Sequence, residues 1–479
     1  METSVFLHRL TRKCGNTKAV LICCSFLFTF LIFSSWEPRE AYSFERERQR
    51  LLLQRQQQQP SHLNDNASSR EKLNMSLLWL SQFKSATGFS TEAFAFLEGL
   101  QERVTDIDIY QFDGEIHDDY VRNLNPESKQ LIKRHWMDDQ GQNSGSKKQS
   151  PKIYDVIVFH SVAHAWQPHL YKNGLYRVGR TMFETDGIPK MWQSHLNYVD
   201  EIWIPSQFNF ETFSRSGVDP SRLHIVPQAI TQYAYDSPNV LPLKLAPPVR
   251  ENDFVFLSVF KWEPRKGIDI LLDAYFREFE ASDPVCLVIL TRKGNSNSSV
   301  FTQKISRYVD SLGVPLYNRA RFLVLEPSLP TGLMPNLYRR ANAFVLPSRG
   351  EGWGRPLMEA MLMHVPVIAT NWSGTTEFLR DDTGYPISVE RLEDCLSGEL
   401  EGADQQMFSG QRWARPSASH LRKLFRYVMD HPKETMKKAK YARELILTKY
   451  NPYVVADIVV EQLKRILIRL EMEGKRTSV

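Results

Sequence analysis

From Leu77 onward, short apolar runs alternate with stretches of helical period. Leu77 to Phe83 reads as a strand; Ser85, Thr87 and Gly88 make a loop; Ser90 or Thr91 caps a helix ending at Leu100; and Ile107 to Phe112 is a second strand. Tyr154 to Phe159, Arg177 to Phe183, Glu201 to Pro205 and His224 to Pro227 continue the series, interrupted by a polar surface loop at Gln140 to Gln149. Pro238 to Val249 carries four prolines and no helical period, so it predicts a linker. A second series follows, with strands at Phe254 to Phe260, Val285 to Thr291, Arg321 to Leu325, Phe344 to Leu346 and Val367 to Ala369. Strands alternating with helices predict an α/β fold: two Rossmann-like, doubly wound sheets facing across a cleft, with ligands at the carboxyl ends of the strands.

The chain before this series has a different character. Ala19 to Trp36 is 18 residues without a charge, preceded by Arg9, Arg12, Lys13 and Lys18 and followed by Glu37 and Glu40. That length predicts a transmembrane signal anchor with the N-terminus in the cytosol and the body of the chain in the lumen; a cleaved signal peptide is the alternative. Glutamine and arginine dominate Tyr42 to Pro60, which reads as a stalk. The expected division is a cytosolic tail (1–18), anchor (19–36), stalk (37–75), first domain (76–240), second domain (250–450) and a terminal amphipathic helix (451–479), in a single-pass protein of the Golgi or endoplasmic reticulum. Asn66, Asn74, Asn297 and Asn371 each head an Asn-x-Ser triplet, and only Cys286 and Cys395 lie beyond the anchor. A net charge of +5, spread along the chain, gives no case for nucleic-acid binding.

The chemistry concentrates in AFVLPSRGEGWGRPLMEAMLMHVPVIATNWSGTTE, residues 343–377. A buried strand breaks at Pro347, Gly350, Gly352 and Gly354 let the backbone bend and approach a ligand, and Pro356 starts a helix. The unpaired amides and positive dipole end of such a helix suit a phosphate or diphosphate. Two carboxylates, Glu351 and Glu359, bracket the turn with seven residues between them. Glu359, in the first helical turn, can accept hydrogen bonds from two neighbouring hydroxyls, as on a ribose. Taken alone, Glu351 reads equally well as a solvated loop acid and Glu359 as a first-turn charge favoured by the dipole.

Together, strand, glycines, paired glutamates and the following VPVIATNWSGTTE resemble the nucleotide-sugar site of retaining glycosyltransferases of family 4, the group 1 type with two Rossmann domains (GT-B), over roughly Phe254 to Phe378. The resemblance implies that Glu351 contacts the donor sugar and Glu359 the ribose, and that the terminal helix, Pro452 to Met472, crosses back onto the first domain. It also implies that KWEPRKG, after the first strand of the second domain, supplies Lys261 and Lys266 to a diphosphate clamp. Lys261 stands where arginine is usual, which keeps the charge and loses the bidentate fork, and Arg265 is placed to compensate. On the acceptor side the resemblance calls for a histidine at the reacting sugar; His160, ending YDVIVFH, is the choice, with a structural histidine as the alternative. Asp186 or Glu184, in FETDGIP, is expected to orient or deprotonate an acceptor hydroxyl, and Asp186 is taken as the catalytic one.

The implied protein is a membrane-anchored enzyme moving a sugar, with retention, from a UDP- or GDP-linked donor to a glycan, lipid or protein acceptor. Charge on the leaving diphosphate falls to Lys261, Lys266, the Gly352 and Gly354 loop and the helix start, so no metal and no cofactor are expected. Asp106-Ile107-Asp108 has the spacing of metal-using transferases but lies within a strand and reads as structural. The alternative is a non-catalytic, membrane-tethered protein that binds a nucleotide sugar or glycan. Neither the acceptor nor an oligomeric state is written in the pattern.

Overall fold

The computed structural model describes residues 71–137, 152–231, 235, 240–293, 296–326, 329–395 and 403–476. The expected anchor at 19–36, the stalk as far as residue 70 and the loop at 140–149 lie outside the described residues. Among the described residues no helix is long and apolar enough to cross a membrane.

Six parallel strands form the first sheet: β1 (Leu73–Ser81), β2 (Val104–Gln111), β3 (Tyr154–His160), β4 (Gly174–Arg180), β5 (Glu201–Ile204) and β6 (Leu223–Ile225), in the order β2-β1-β3-β4-β5-β6. β1 begins at Leu73, inside the stretch expected to be stalk, because the amide of Leu73 already bonds the Arg103 carbonyl beside β2. The first helix, α1 (Gly88–Leu100), is capped by Thr87, whose hydroxyl accepts from the Ser90 amide at 3.2 Å. Ser90 or Thr91 was the expected cap; the Ser90 hydroxyl turns inward to the Phe83 carbonyl and the Thr91 hydroxyl donates to the Gly88 carbonyl instead. β4 ends three residues before the predicted Phe183, and the chain from Thr181 leaves the sheet to form a loop over the neighbouring domain.

The second sheet is also six-stranded and parallel, with β7 (Phe254–Lys261), β8 (Val285–Arg292), β9 (Arg321–Leu325), β10 (Ala343–Leu346), β11 (Val367–Thr370) and β12 (Tyr385–Ile387) in the order β12-β11-β10-β7-β8-β9. The order reverses between β7 and β10, the switch point where such sheets open a crevice at their carboxyl ends. Both loops singled out in the sequence leave the sheet there, after β7 and after β10.

Two further elements tie the halves together. An antiparallel hairpin, β13 (Val389–Asp394) with β14 (Arg412–Pro416), was not anticipated. Trp413 on β14 and Phe408 before it pack with Phe183 and Trp192 of the first domain, and the Phe183 and Phe408 rings stack at 5.4 Å. The last helix, Pro452–Met472, lays Val455, Val459, Leu463, Ile466 and Leu470 into one core with Trp79 and Phe96. Gly99 permits this approach: a side-chain carbon there would lie 2.2 Å from the Pro452 carbonyl oxygen. Cys286 and Cys395 are both buried and unpaired.

Candidate functional site

The site is built where β10 runs through residues 347–354 into α2 (Arg355–Leu362). Gly354 precedes the helix at φ 111°, a backbone state that a side chain would strain. Glu351 is only 6% exposed. Its amide donates to the Ser373 hydroxyl at 2.8 Å, and both carboxylate oxygens accept from the Lys266 ammonium at 2.8 Å. The Arg265 guanidinium stands 3.5 Å from the same carboxylate. Burial opposes ionisation of Glu351, yet the Lys266 and Arg265 charges hold its carboxyl below the usual range. Burial and the adjacent Arg265 together pull the Lys266 ammonium below the ordinary lysine range, against the attraction of Glu351.

Glu359 has different partners. The Tyr338 hydroxyl donates to it at 2.8 Å, the Tyr235 hydroxyl bonds it as well, and burial raises its carboxyl pKa despite the nearby Arg355. The two glutamates therefore lie on one turn and one helix but in separate hydrogen-bond environments.

The first domain lies directly against the glycines. A side-chain carbon at Gly350 would fall 2.3 Å from the Glu184 carbonyl oxygen, and one at Gly352 would fall 2.7 Å from the Met182 side chain. The close approach that requires glycine here is thus to the opposite domain, where the sequence predicted a ligand. Lys261 is exposed at the end of β7 and forms no ion pair with a described residue. Of the expected donor-binding set, Lys266, Gly352 and Gly354 meet Glu351 on one loop, while Lys261 and Glu359 stand apart from that ion pair.

His160 differs from expectation. It is fully buried, with Trp79 Nε1 donating to its Nδ1 at 3.2 Å and Glu92 Oε2 lying 3.3 Å from Nε2. Trp79, Phe89 and Phe96 wall the ring edge-on or close to it, and burial lowers its pKa. Glu92 in turn binds Arg180 through Nε at 3.1 Å and Nη2 at 2.6 Å, and Gln228 donates to its second oxygen at 2.8 Å. The register explains the placement: His160 pairs beside Ser81 and Arg180 on the face that α1 covers, so its side chain enters the core.

Asp186 is also committed elsewhere. Arg412 of the hairpin gives it a backbone bond at 2.7 Å and an Nε bond at 2.9 Å, and the Asp186 amide donates back to the Arg412 carbonyl at 3.0 Å. Its neighbour Glu184, the second choice of the sequence reading, is the first-domain carboxylate that reaches the donor loop, through Arg265 Nε at 2.9 Å. Burial raises the Glu184 carboxyl pKa, opposed by Arg265. The Asp106 and Asp108 carboxylates both bind Lys152 Nζ, at 2.8 and 2.6 Å. Among the described residues no three His, Cys, Asp or Glu side chains converge as metal ligands.

Sequence reasoning missed the Glu184–Arg265 bridge and the tyrosines on Glu359. Arg265 lies 81 residues from Glu184, and Tyr338 and Tyr235 lie 21 and 124 residues from Glu359, so none of these pairs carries a local spacing signal.

Residues 251–397 match the family model described as glycosyl transferases group 1, and this stretch contains Lys261, Lys266, Glu351, Gly352, Gly354 and Glu359. This part of the chain is similar to a group 1 glycosyltransferase domain. His160 and Asp186 fall outside it. Similar curated proteins include the D-inositol 3-phosphate glycosyltransferase of Rhodococcus jostii, 32% identical over 183 residues, covering 37% of this chain and 39% of that protein. The enzyme of the same name from Segniliparus rotundus is 25% identical over 203 residues, covering 42% and 40%. The matched stretch thus spans about two fifths of the length of these relatives. Among solved structures, a glycosyltransferase from Rickettsia africae superimposes with a TM-score of 0.55 at 16% identity, covering 83% of this chain and 99% of that one. Anabaena Alr3699/HepE, in complex with UDP and glucose, gives 0.54 at 15% identity, covering 82% and 100%. At these identities the likeness is one of fold, and it extends the two-domain GT-B architecture over both sheets of this chain.

Proposed function

We propose that this protein is a glycosyltransferase that takes a sugar from a nucleoside-diphosphate donor and passes it, with retention, to a glycan, lipid or protein acceptor. The observation that carries the reading is the Lys266–Glu351 pair, held on the loop of a group 1 glycosyltransferase domain at the switch point of its sheet. The complex of the HepE neighbour with UDP and glucose supports a nucleotide sugar as the partner.

In this reading Lys266 exchanges Glu351 for the leaving diphosphate, whose growing charge it stabilises together with Lys261 and the amides at the start of α2. Glu351, released from Lys266, faces the donor sugar. Glu359, with its tyrosine hydroxyls, meets the ribose. Glu184 replaces Asp186 as the first-domain carboxylate nearest the donor loop, and His160 serves the core. The uncharged run at 19–36 supports membrane anchoring, with the catalytic body in the lumen of the Golgi or endoplasmic reticulum.

The test is release of nucleoside diphosphate from a panel of UDP- and GDP-sugars, with product configuration read by NMR. Release, with the donor's anomeric configuration kept, is expected. Tight donor binding without release would instead make the protein a tethered binding module.

A further inference from the structure

Lys266 and Arg265 are adjacent cations with different commitments. Among the described residues the Lys266 ammonium hydrogen-bonds one side chain, that of Glu351. Arg265 spends its guanidinium across the domain boundary: Nε on Glu184 of the first domain at 2.9 Å, Nη1 on the Gly350 carbonyl at 2.7 Å and 3.5 Å from Glu351, and Nη2 on Glu263 at 3.3 Å. Its own carbonyl accepts the Arg349 amide at 2.7 Å, which ties its backbone to the donor loop as well. Glu184, Glu263 and Glu351 outnumber the two cations, and the side chains of Arg265 and Glu184 are 14% and 15% exposed.

We propose that Arg265 is a positioning residue that makes the seating of Glu351 depend on contact between the two domains, and is not a second clamp on the diphosphate. A guanidinium already bound by carboxylates and a carbonyl gains little by moving to a phosphate, whereas a lysine held by one carboxylate can exchange it. When Lys266 turns to the donor, Arg265 is the cation left to keep Glu351 charged and in place. Arg265 is itself oriented by Glu184, so the donor loop is complete only while Met182 and Glu184 lie against it. Asp186, two residues further on, holds the same first-domain loop to the hairpin without touching the donor loop.

The kinetic arm of the test rests on the transfer reading above. In the full chain, Arg265→Lys keeps the charge without the fork, and Glu184→Gln keeps the shape without the charge. Each is expected to lower kcat by about tenfold or more and leave donor KM within about threefold, and the double variant to be no worse than either single one. A tenfold rise in donor KM at unchanged kcat in Arg265→Lys, or additive losses in the double variant, would overturn the proposal. Hydrogen exchange across residues 348–354 gives a second arm that needs no turnover. Faster exchange of this loop in both variants is expected, and wild-type exchange in Glu184→Gln refutes the coupling. A wild-type chain that turns over no nucleotide sugar would sink the transfer reading alone, leaving exchange to decide the role of Arg265.

Discussion

Each domain places a carboxylate against cations at the carboxyl ends of its central strands, and the two clusters have different fates. In the first domain Glu92, His160 and Arg180 are all fully buried, walled by aromatic rings. In the second, Glu351 and Lys266 keep some exposure, and their neighbour Arg265 takes a partner from the opposite domain. A sealed ion pair with every oxygen spoken for can fix geometry but cannot exchange partners. An ion pair at a boundary between domains can. Location decides which carboxylate holds the fold and which is available to chemistry, since the residue types are nearly the same.

The largest expected effect that would break this comparison is in the sealed cluster. Glu92→Ala leaves the Arg180 guanidinium and the Gln228 amide without their acceptor and should cost about 3–5 kcal/mol in urea unfolding. A loss below about 1 kcal/mol would mean that the cluster is not structural. At the boundary, Lys266→Ala should lower kcat by about 10²–10³ while the protein stays folded, because Glu351 retains Arg265 beside it. Full transfer activity in that variant would remove the assignment of the site.

The smallest effect is one of pH. Glu92 is held at about 2 even though burial opposes it, through the Arg180 charge and hydrogen bonds from Arg180 and His160. Its contribution to stability is present above the ordinary value of 4.5 and is lost as pH falls toward 2. Glu98, on the same helix, is half-buried; desolvation first and the Glu127 charge second push it up to about 7, against a hydrogen bond with Thr231. Its contribution has the opposite sign, present below 4.5 and lost as pH rises through 7. Glu98→Gln should flatten the pH dependence of the unfolding midpoint between those values and leave the acid limb unchanged. An unchanged slope there would show that Glu98 stays charged at neutral pH.

Most strands were legible because parallel strands covered on both faces are continuous apolar runs: Phe254 to Phe260 and Val285 to Thr291 need no partner to be seen. The hairpin was not, since VERLED and RWARP mix charges with single apolar positions and become strands only by pairing with each other. The same division holds for the site. The loop from Gly350 to Glu359 is a local pattern and could be read directly. The face that His160 presents depends on its register beside Ser81 and Arg180, and the Asp186–Arg412 and Glu184–Arg265 bridges join residues remote in sequence. Spacing cannot report such pairs, which is why the sequence chose Asp186 where the fold brings Glu184 to the loop.

The helix Pro452–Met472 has a consequence for biosynthesis. Its apolar face supplies part of the core under α1, so a ribosome making this chain releases the first sheet long before that sheet's covering layer exists. Until the closing residues emerge, Trp79, Phe96 and their neighbours have one side open to solvent, and a holding chaperone has a defined surface to protect. A nonsense codon near position 450 would therefore cripple the half of the protein made first.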